Sequence, residues 1–249
     1  MLSVEKIQKN WDLFIDKISK LKSGILTDFY LKYEERFSTM PASGNKAFHN
    51  AFVGGYIDHV LRVNKLATEI LAVWMSNGAK IDFTQSELEF VALNHDLGKF
   101  GDEEHEYYVS QDSDWHYKRG EIYKHNPSLH HMNTPDRTLF ILQDLQVPLT
   151  KTEYLSIKLH DGLYDESNKG YLVSYSDEKR LFSNLPYIIH QADLTATRIE
   201  YDLFHNESSN SSKKSVIKQE EPVILKATTT EKKSVKTQGK YSDLLNKIK

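Results

Sequence analysis

The fold class follows from one stretch of the sequence, residues 55–78, which is GYIDHVLRVNKLATEILAVWMSNG. Its apolar side chains recur every three or four residues, as in a helix that buries one face, and the stretch ends at Asn77-Gly78. The members of this stripe are Val60, Leu61, Val63, Leu66, Ala67, Ile70, Leu71 and Trp74. The spacing predicts a long helix packed against a core.

Four other stretches share this period. Residues 84–98, TQSELEFVALNHDLG, begin with Thr84 and place Glu87 three residues on, a capping-box pattern. Residues 134–146 and 150–162 each begin with a Thr and an acidic first turn, and Gly162 closes the second. Residues 185–204 have Pro186 at their start. Strand signals are sparse, and only GYLVSYS, residues 170–176, alternates enough to predict a short hairpin arm. We therefore expect one all-α domain over residues 1–205.

Residues 206–249 differ in composition from the rest of the chain. They are rich in Ser, Thr and Lys and hold few large apolar residues, which predicts a flexible, disordered tail. From Glu207 onward ten Lys face five acidic residues, whereas the whole chain has a net charge of -3, so the body carries about -8. An acidic body argues against a broad nucleic-acid-binding face. The basic tail is suited to a weak contact with nucleic acid or a protein partner.

The composition also restricts metal binding and location. The chain has no cysteine, so any metal must be held by His, Asp or Glu. The N-terminal segment is charged and amphipathic, unlike a secretory signal, and no window approaches 18 apolar residues. We expect a soluble cytoplasmic protein with no membrane partner.

The candidate chemistry lies in dispersed histidines and aspartates. Each lies on or beside a different predicted helix, and a bundle can bring such positions together. These residues are His59, the doublet His95-Asp96, His131, His160 and Asp193. Imidazole and carboxylate together suit Mn, Fe, Co, Ni, Zn or Mg. Such an ion lowers the pKa of bound water and stabilises charge on phosphorus, so the set indicates hydrolysis of a phosphoester.

Three motifs in this order, GGYIDHVLRV (54–63), ALNHDLGKF (92–100) and HQADLTA (190–196), resemble the HD-domain superfamily of metal-dependent phosphohydrolases. The resemblance covers roughly residues 45–205. It implies an all-helical bundle with His59, His95, Asp96 and Asp193 as primary ligands of a divalent metal. His131 and His160 occupy positions where the two-metal subgroup has further histidines, so one or two ions are implied. Binuclear members often have a His-His doublet where this chain has His160-Asp161, and His125 or His130 could replace His131.

The resemblance also suggests roles around the metal. Lys99 matches a lysine that contacts substrate phosphate in several members, although a solvated lysine at a helix end is the alternative. Asp96 would orient the attacking water. The long segment 102–126 is either a lid or ordinary loop packing; from it Arg119 could contact phosphate, with Trp115, Tyr117 and Lys118 nearby. The substrate expected is a nucleotide or short oligonucleotide. The alternative is a non-catalytic HD module that senses a nucleotide and recruits a partner through its tail.

Each ligand has a purely structural interpretation as well. His160 could cap a helix, and Asp193 could pair with Arg198 in the core. His190, one turn before Asp193, could orient a ligand. The histidines left as surface residues or as neighbours of the ligands are His49, His105, His116, His190 and His205.

Overall fold

The computed structural model describes residues 2–45, 48–174 and 176–214. Over these ranges the fold is all-α, as the hydrophobic period predicts, with two short strands. The helices and strands are α1 (Val4–Lys20), α2 (Thr27–Lys32), α3 (Glu34–Thr39), α4 (Gly55–Ser76), α5 (Gln85–Asn94), β1 (Tyr108–Ser110), α6 (Asp114–Lys118), β2 (Tyr123–His125), α7 (Thr134–Asp144), α8 (Lys151–Lys158), α9 (Lys169–Leu172) and α10 (Leu185–Lys214). None of the described helices combines the length and apolar composition needed to cross a membrane.

The core forms where α4 and α10 pack along each other, with α5 and α8 beside them. The stripe predicted in residues 55–78 faces this core, and Val60, Val63 and Ala67 are fully buried. Helix α1 covers one side with Trp11 and Phe14. Each large apolar side chain buried in this way contributes roughly 1.5–3 kcal/mol, so the packing holds α4, α5, α8 and α10 in fixed positions around one centre.

Helix starts are largely where the sequence places them. Both predicted Thr caps with an acidic third residue form full capping boxes: the Glu87 carboxylate accepts from the backbone N–H of Thr84 at 2.8 Å, and Glu153 does the same for Thr150. Helix α7 departs from this pattern. Its cap residue is Asn133, and no side chain caps its first turn.

The predicted hairpin arm in residues 170–176 is wrong. Residues 169–172 form the short helix α9, whose backbone bond runs from the N–H of Val173 to the carbonyl of Lys169 at 3.0 Å, and residue 175 lies outside the described ranges. The weak alternation there was too short to outweigh local helical bonding. The strands lie instead in the 102–126 segment, where β1 and β2 pair antiparallel with Tyr108 opposite His125.

Helix α10 extends beyond the predicted domain end at residue 205, and the structure describes it as far as Lys214. The rest of the predicted tail, residues 215–249, lies outside the described residues.

Candidate metal centre

His59 lies in the second turn of α4 and is completely buried. Its Nδ1 is 3.1 Å from a carboxylate oxygen of Glu200, on α10. A proton on Nδ1 can be donated to Glu200, which leaves the Nε2 lone pair for a metal. That Nε2 lies 3.2 Å from Oδ1 of Asp193 and 3.7 Å from Oδ2 of Asp96.

The doublet His95-Asp96 terminates α5. His95 has helical dihedrals at the C-cap, and its Nδ1 lies 2.9 Å from the carbonyl of Ala92, to which it can donate. Its Nε2 is 3.6 Å from Oδ2 of Asp96 and 3.8 Å from Oδ1 of Asp193. Both residues of the doublet are buried. The helix end therefore presents an imidazole and a carboxylate to the same point.

His160, just after α8, repeats the arrangement of His95. Its Nδ1 lies 2.8 Å from the carbonyl of Ile157, and its Nε2 is 3.5 Å from Oδ1 of Asp96 and 3.5 Å from Oδ1 of Asp161. His160 therefore caps the end of α8 through Nδ1, as one of its two predicted interpretations has it, while its Nε2 faces the carboxylates. All three histidines use Nδ1 for a protein acceptor and turn Nε2 toward carboxylates.

The Nε2 atoms of His59 and His95 are buried and make no hydrogen bond of acceptable geometry. An unsatisfied buried polar atom costs about 1–3 kcal/mol, so two of them at one point need an explanation. Two ligand atoms about 2.1 Å from a shared ion, at tetrahedral or octahedral angles, lie about 3.0–3.4 Å apart. The nitrogen-to-oxygen separations here, 3.2–3.8 Å, are close to that spacing. The residues fit a divalent ion.

Four sets of potential ligands overlap at this centre, each with its atoms within 4.8 Å of one another. They are His49, His59 and Glu200; His59, His95 and Asp193; His95, Asp96 and His160; and His160, Asp161 and Asp193. Because the sets share residues, the cluster offers enough ligands for one ion or for two.

Electrostatics divide the histidines into two kinds. Burial alone would lower the pKa of His59, but the charge of Glu200 and contact with Asp193 raise it to about 10. The pKa of His160 also rises to about 10, because Asp161 and Asp96 outweigh burial. His95 differs, since burial dominates and lowers its pKa to about 4. Before metal binds, two imidazoles are therefore protonated and His95 is neutral.

The carboxylates of the buried Asp96 and the partly buried Asp193 both stay ionised. Burial raises the pKa of Asp96, but Lys99 and the histidines hold it well below its usual range. The pKa of Asp193 is likewise lowered, by His59 at 3.2 Å and by the other histidines acting against burial. Arg198 bonds to the hydroxyl of Tyr164 at 3.2 Å, so the predicted alternative partner of Asp193 is engaged elsewhere.

Three residues of the centre were missed from the sequence as ligands. Glu200 is buried and lies seven residues after Asp193, on the same face of α10; that i,i+7 spacing was the available signal. His49, expected to be a surface residue or a neighbour of the ligands, packs its ring 4.8 Å from that of His59. Burial, followed by the charges of His59 and Lys99, lowers the pKa of His49 to about 2. Asp161 was noted only as part of a departure from the doublet pattern.

A cavity of about 410 Å³ opens over the cluster. Lys99 lines it, with Nζ 2.5 Å from Oδ2 of Asp96. His190 also lines it, and its Nδ1 lies 2.8 Å from the backbone carbonyl of His160. Gly162 makes this contact possible: its φ is 58°, and a Cβ there would collide with the His190 ring.

The structure does not bring His131 to the cluster. His131 is exposed and lines a separate cavity with His125 and His130, so none of these three alternatives is among the grouped ligands of the described chain. Their positions follow from the segment between β2 and α7, which passes beside the centre and not through it. Arg119 is also elsewhere. It stacks on Trp115, with 4.4 Å from its guanidinium carbon to the ring centroid, and does not line the cavity over the cluster.

Comparison of the chain with protein-family models, with curated proteins and with solved structures finds no match. The chemistry of the centre must therefore be inferred from its own residues.

Proposed function

We propose that the chain is a metal-dependent phosphohydrolase that uses metal-activated water to cleave a phosphoester of a nucleotide or short oligonucleotide. The observation that carries this proposal is the convergence of three imidazole Nε2 atoms from separate helices on two ionised carboxylates, the buried Asp96 and the partly buried Asp193. Two of those nitrogens have no hydrogen-bond partner. A structural polar core would satisfy its own donors and acceptors.

The ligands would be His59, His95, Asp96, His160 and Asp193, with Asp161 available for a second ion. Nitrogen and carboxylate oxygen without sulfur suit Mn, Fe, Co, Ni, Zn or Mg. Such an ion, when bound, lowers the pKa of its water and offsets negative charge on the phosphoryl group. Glu200 and the carbonyls of Ala92 and Ile157 fix the ring orientations through Nδ1.

Lys99 supplies positive charge beside the reacting group. Burial alone would lower its pKa, but the charge of Asp96 raises it, so the ammonium group stays protonated at neutral pH. Lys99 lines the cavity, where a phosphate oxygen can accept a charge-assisted hydrogen bond from it. Asp96 faces the same space and can accept a hydrogen bond from the attacking water, which would orient the water oxygen toward phosphorus.

The cavity suits a nucleotide in size and lining. A volume of about 410 Å³ falls within the range of small-molecule sites. Phe48, Tyr164 and Tyr201 line it, and they are 60%, 74% and 37% exposed. Aromatic faces beside a cationic centre favour a ligand that joins a planar base to a phosphate.

The test combines metal content with hydrolysis. Purified protein should hold about one or two equivalents of a transition metal by elemental analysis, and should hydrolyse an aryl phosphate and nucleotides with Mn²⁺ present. His95→Ala and Asp96→Ala should each lower the rate by roughly 100-fold or more, because each removes a ligand at the centre of charge development.

His116→Ala is the matched control, because this histidine pairs with Glu121 at 2.6 Å outside the cluster. Its rate should stay within about twofold of the starting protein. A folded protein that takes up no divalent metal and hydrolyses no phosphoester contradicts the proposal, and a nucleotide bound without turnover would identify a sensor instead.

A further inference from the structure

We propose that the cavity at the start of α7, built around Arg137, is an anion subsite that binds a second phosphate of the substrate. The inference rests on the proposed function, and it defines the substrate as one that carries at least two phosphates, as an oligonucleotide does. The cavity has a volume of about 740 Å³ and includes the three histidines that the metal centre does not use.

Arg137 is a buried cation with no carboxylate of the described residues within ion-pair distance, and Asp102 attracts its charge only from farther away. Arg137 is 6% exposed, and none of the ion pairs in the described chain includes it. Its Nη2 donates to the carbonyl of His130 at 2.6 Å, and its guanidinium lies 5.8 Å from the ring centroid of Tyr107. Its Nε is buried and has no hydrogen-bond partner. Burial costs a guanidinium heavily unless an anion accompanies it, so an anionic ligand is the missing partner.

The N-terminus of α7 lines the same cavity. This helix has 11 residues, and Asn133, Thr134 and Pro135 at its start all contribute to the lining. No side chain caps the first turn, so the N–H groups of Thr134 and Asp136 have no partner within the helix, whereas Pro135 has no N–H and Arg137 donates its N–H to the carbonyl of Asn133 at 2.9 Å. An uncapped helix end and an unpaired arginine beside it both favour negative charge.

The subsite lies next to the metal centre, because the residue that follows Arg137 in the chain hydrogen-bonds to the backbone of residues 95–98. Thr138, which follows Arg137, donates through Oγ1 to the carbonyl of His95 at 3.0 Å and accepts from the N–H of Gly98 at 2.8 Å. A Cβ on Gly98 would collide with the carbonyl of Thr134, so glycine allows α7 to approach this closely. Asp161 and Tyr164 line both cavities. A substrate can therefore extend from one to the other.

Three carboxylates also line the subsite. Asp161 lies beside His160, Asp165 accepts from the N–H of Ser167 at 2.9 Å, and Glu166 is exposed. Their charge disfavours a free anion, and this favours a phosphate delivered by a substrate that is already held at the metal centre. A merely structural Arg137, which ties down the loop through His130, would show no preference between ligands with one and two phosphates.

The experiment measures binding of two probes to the full chain, as purified and after chelation. The probes are thymidine 5′-monophosphate and 5′-phosphorylated dithymidylate, which has a second phosphate. Calorimetry should show the dinucleotide binding at least roughly 10-fold tighter. Arg137→Gln should weaken the dinucleotide roughly 10–100-fold, since it removes charge-assisted hydrogen bonds, and leave the monophosphate within about threefold.

Two further variants make the outcome decisive. Arg180→Gln, at an exposed arginine that lines neither cavity, should change neither affinity. His131→Gln alters an exposed residue that should not disturb folding, and it should weaken the dinucleotide alone by roughly 3–10-fold. Equal loss for both probes, or no loss in folded Arg137→Gln, overturns the subsite. If Arg137→Gln does not fold, an unchanged dinucleotide affinity in His131→Gln overturns it.

Hydrolysis assays separate this proposal from the proposed function. If the protein binds the dinucleotide selectively but cleaves no ester, the anion subsite is supported and the phosphohydrolase function is refuted. If it cleaves an aryl phosphate but does not prefer the dinucleotide, the phosphohydrolase function is supported and the subsite is refuted.

Discussion

His95→Leu should have opposite effects on the metal-free and the metal-bound protein. In the metal-free protein burial lowers the pKa of His95 to about 4, and Asp96 and Asp193 keep Lys99 and His59 as their main counter-charges when His95 is removed. Leucine has a similar volume and eliminates the unpartnered Nε2, which stabilises by about 1–3 kcal/mol. It also removes the hydrogen bond to the Ala92 carbonyl, which costs about 0.5–1.5 kcal/mol. The free energy of unfolding of the metal-free variant should therefore equal that of the starting protein or exceed it by up to about 2 kcal/mol.

Metal should reverse that order of stability. At a free metal concentration 100 times Kd, the starting protein gains about 2.7 kcal/mol. For a domain of this size that gain raises Tm by roughly 5–11 °C. His95→Leu should lose most of the increase, because a ligand is gone.

Thermal and urea unfolding, each with chelator and with Mn²⁺, measure both quantities on the same samples. His116→Leu serves as the control and should keep the full metal-dependent increase, because its partner is Glu121, outside the cluster. A metal-free His95→Leu variant less stable by more than about 2 kcal/mol would show that His95 is an ordinary core residue. A retained metal-dependent increase would refute its role as a ligand.

Three other predictions test the surroundings of the centre. Glu200→Gln should weaken metal binding roughly 10–100-fold, measured by competition with a chromogenic chelator at pH 8, because it loosens the orientation of His59; an unchanged Kd would refute this. Metal binding should release up to two protons, from His59 and His160, since both pKa values are raised to about 10 in the metal-free protein. The affinity for metal should therefore rise as the pH increases from 6 to 9. Calorimetry in buffers of different ionisation enthalpy measures the number of protons released. A metal affinity that stays constant over this pH range would contradict the prediction. Gly162→Ala should destabilise by about 2 kcal/mol more than Gly78→Ala in urea unfolding, because both have positive φ but only the former meets a neighbouring ring; equal losses would remove the steric argument.

Much of the fold was predictable because its local signals agree with its tertiary packing. The stripe in residues 55–78 and the two Thr–Glu capping boxes specify helices before any contact forms. The strands Tyr108–Ser110 and Tyr123–His125 were missed, since three residues carry too little periodicity and their pairing depends on contacts formed only on folding.

Part of the site was predictable because His and Asp residues can be recognised from the sequence as potential metal ligands. His59, the doublet, His160 and Asp193 converge as expected. His131 does not, because it lies with His130 in an irregular stretch between β2 and α7, and sequence spacing does not determine which way such side chains point. Glu200 was missed because its i,i+7 spacing from Asp193 is a weak signal until its partners, His59 and Arg62, are placed beside it.

Anomalous diffraction from crystals grown with Mn²⁺ tests the convergence on a cation most directly. The account predicts a peak at the Mn absorption edge about 2.0–2.3 Å from the Nε2 atoms of His59 and His95, in contact with oxygens of Asp96 or Asp193. A second peak between His160 and Asp161 would indicate two ions. Crystals with no peak at this position, or with the only peak beside His125 or His131, would contradict it.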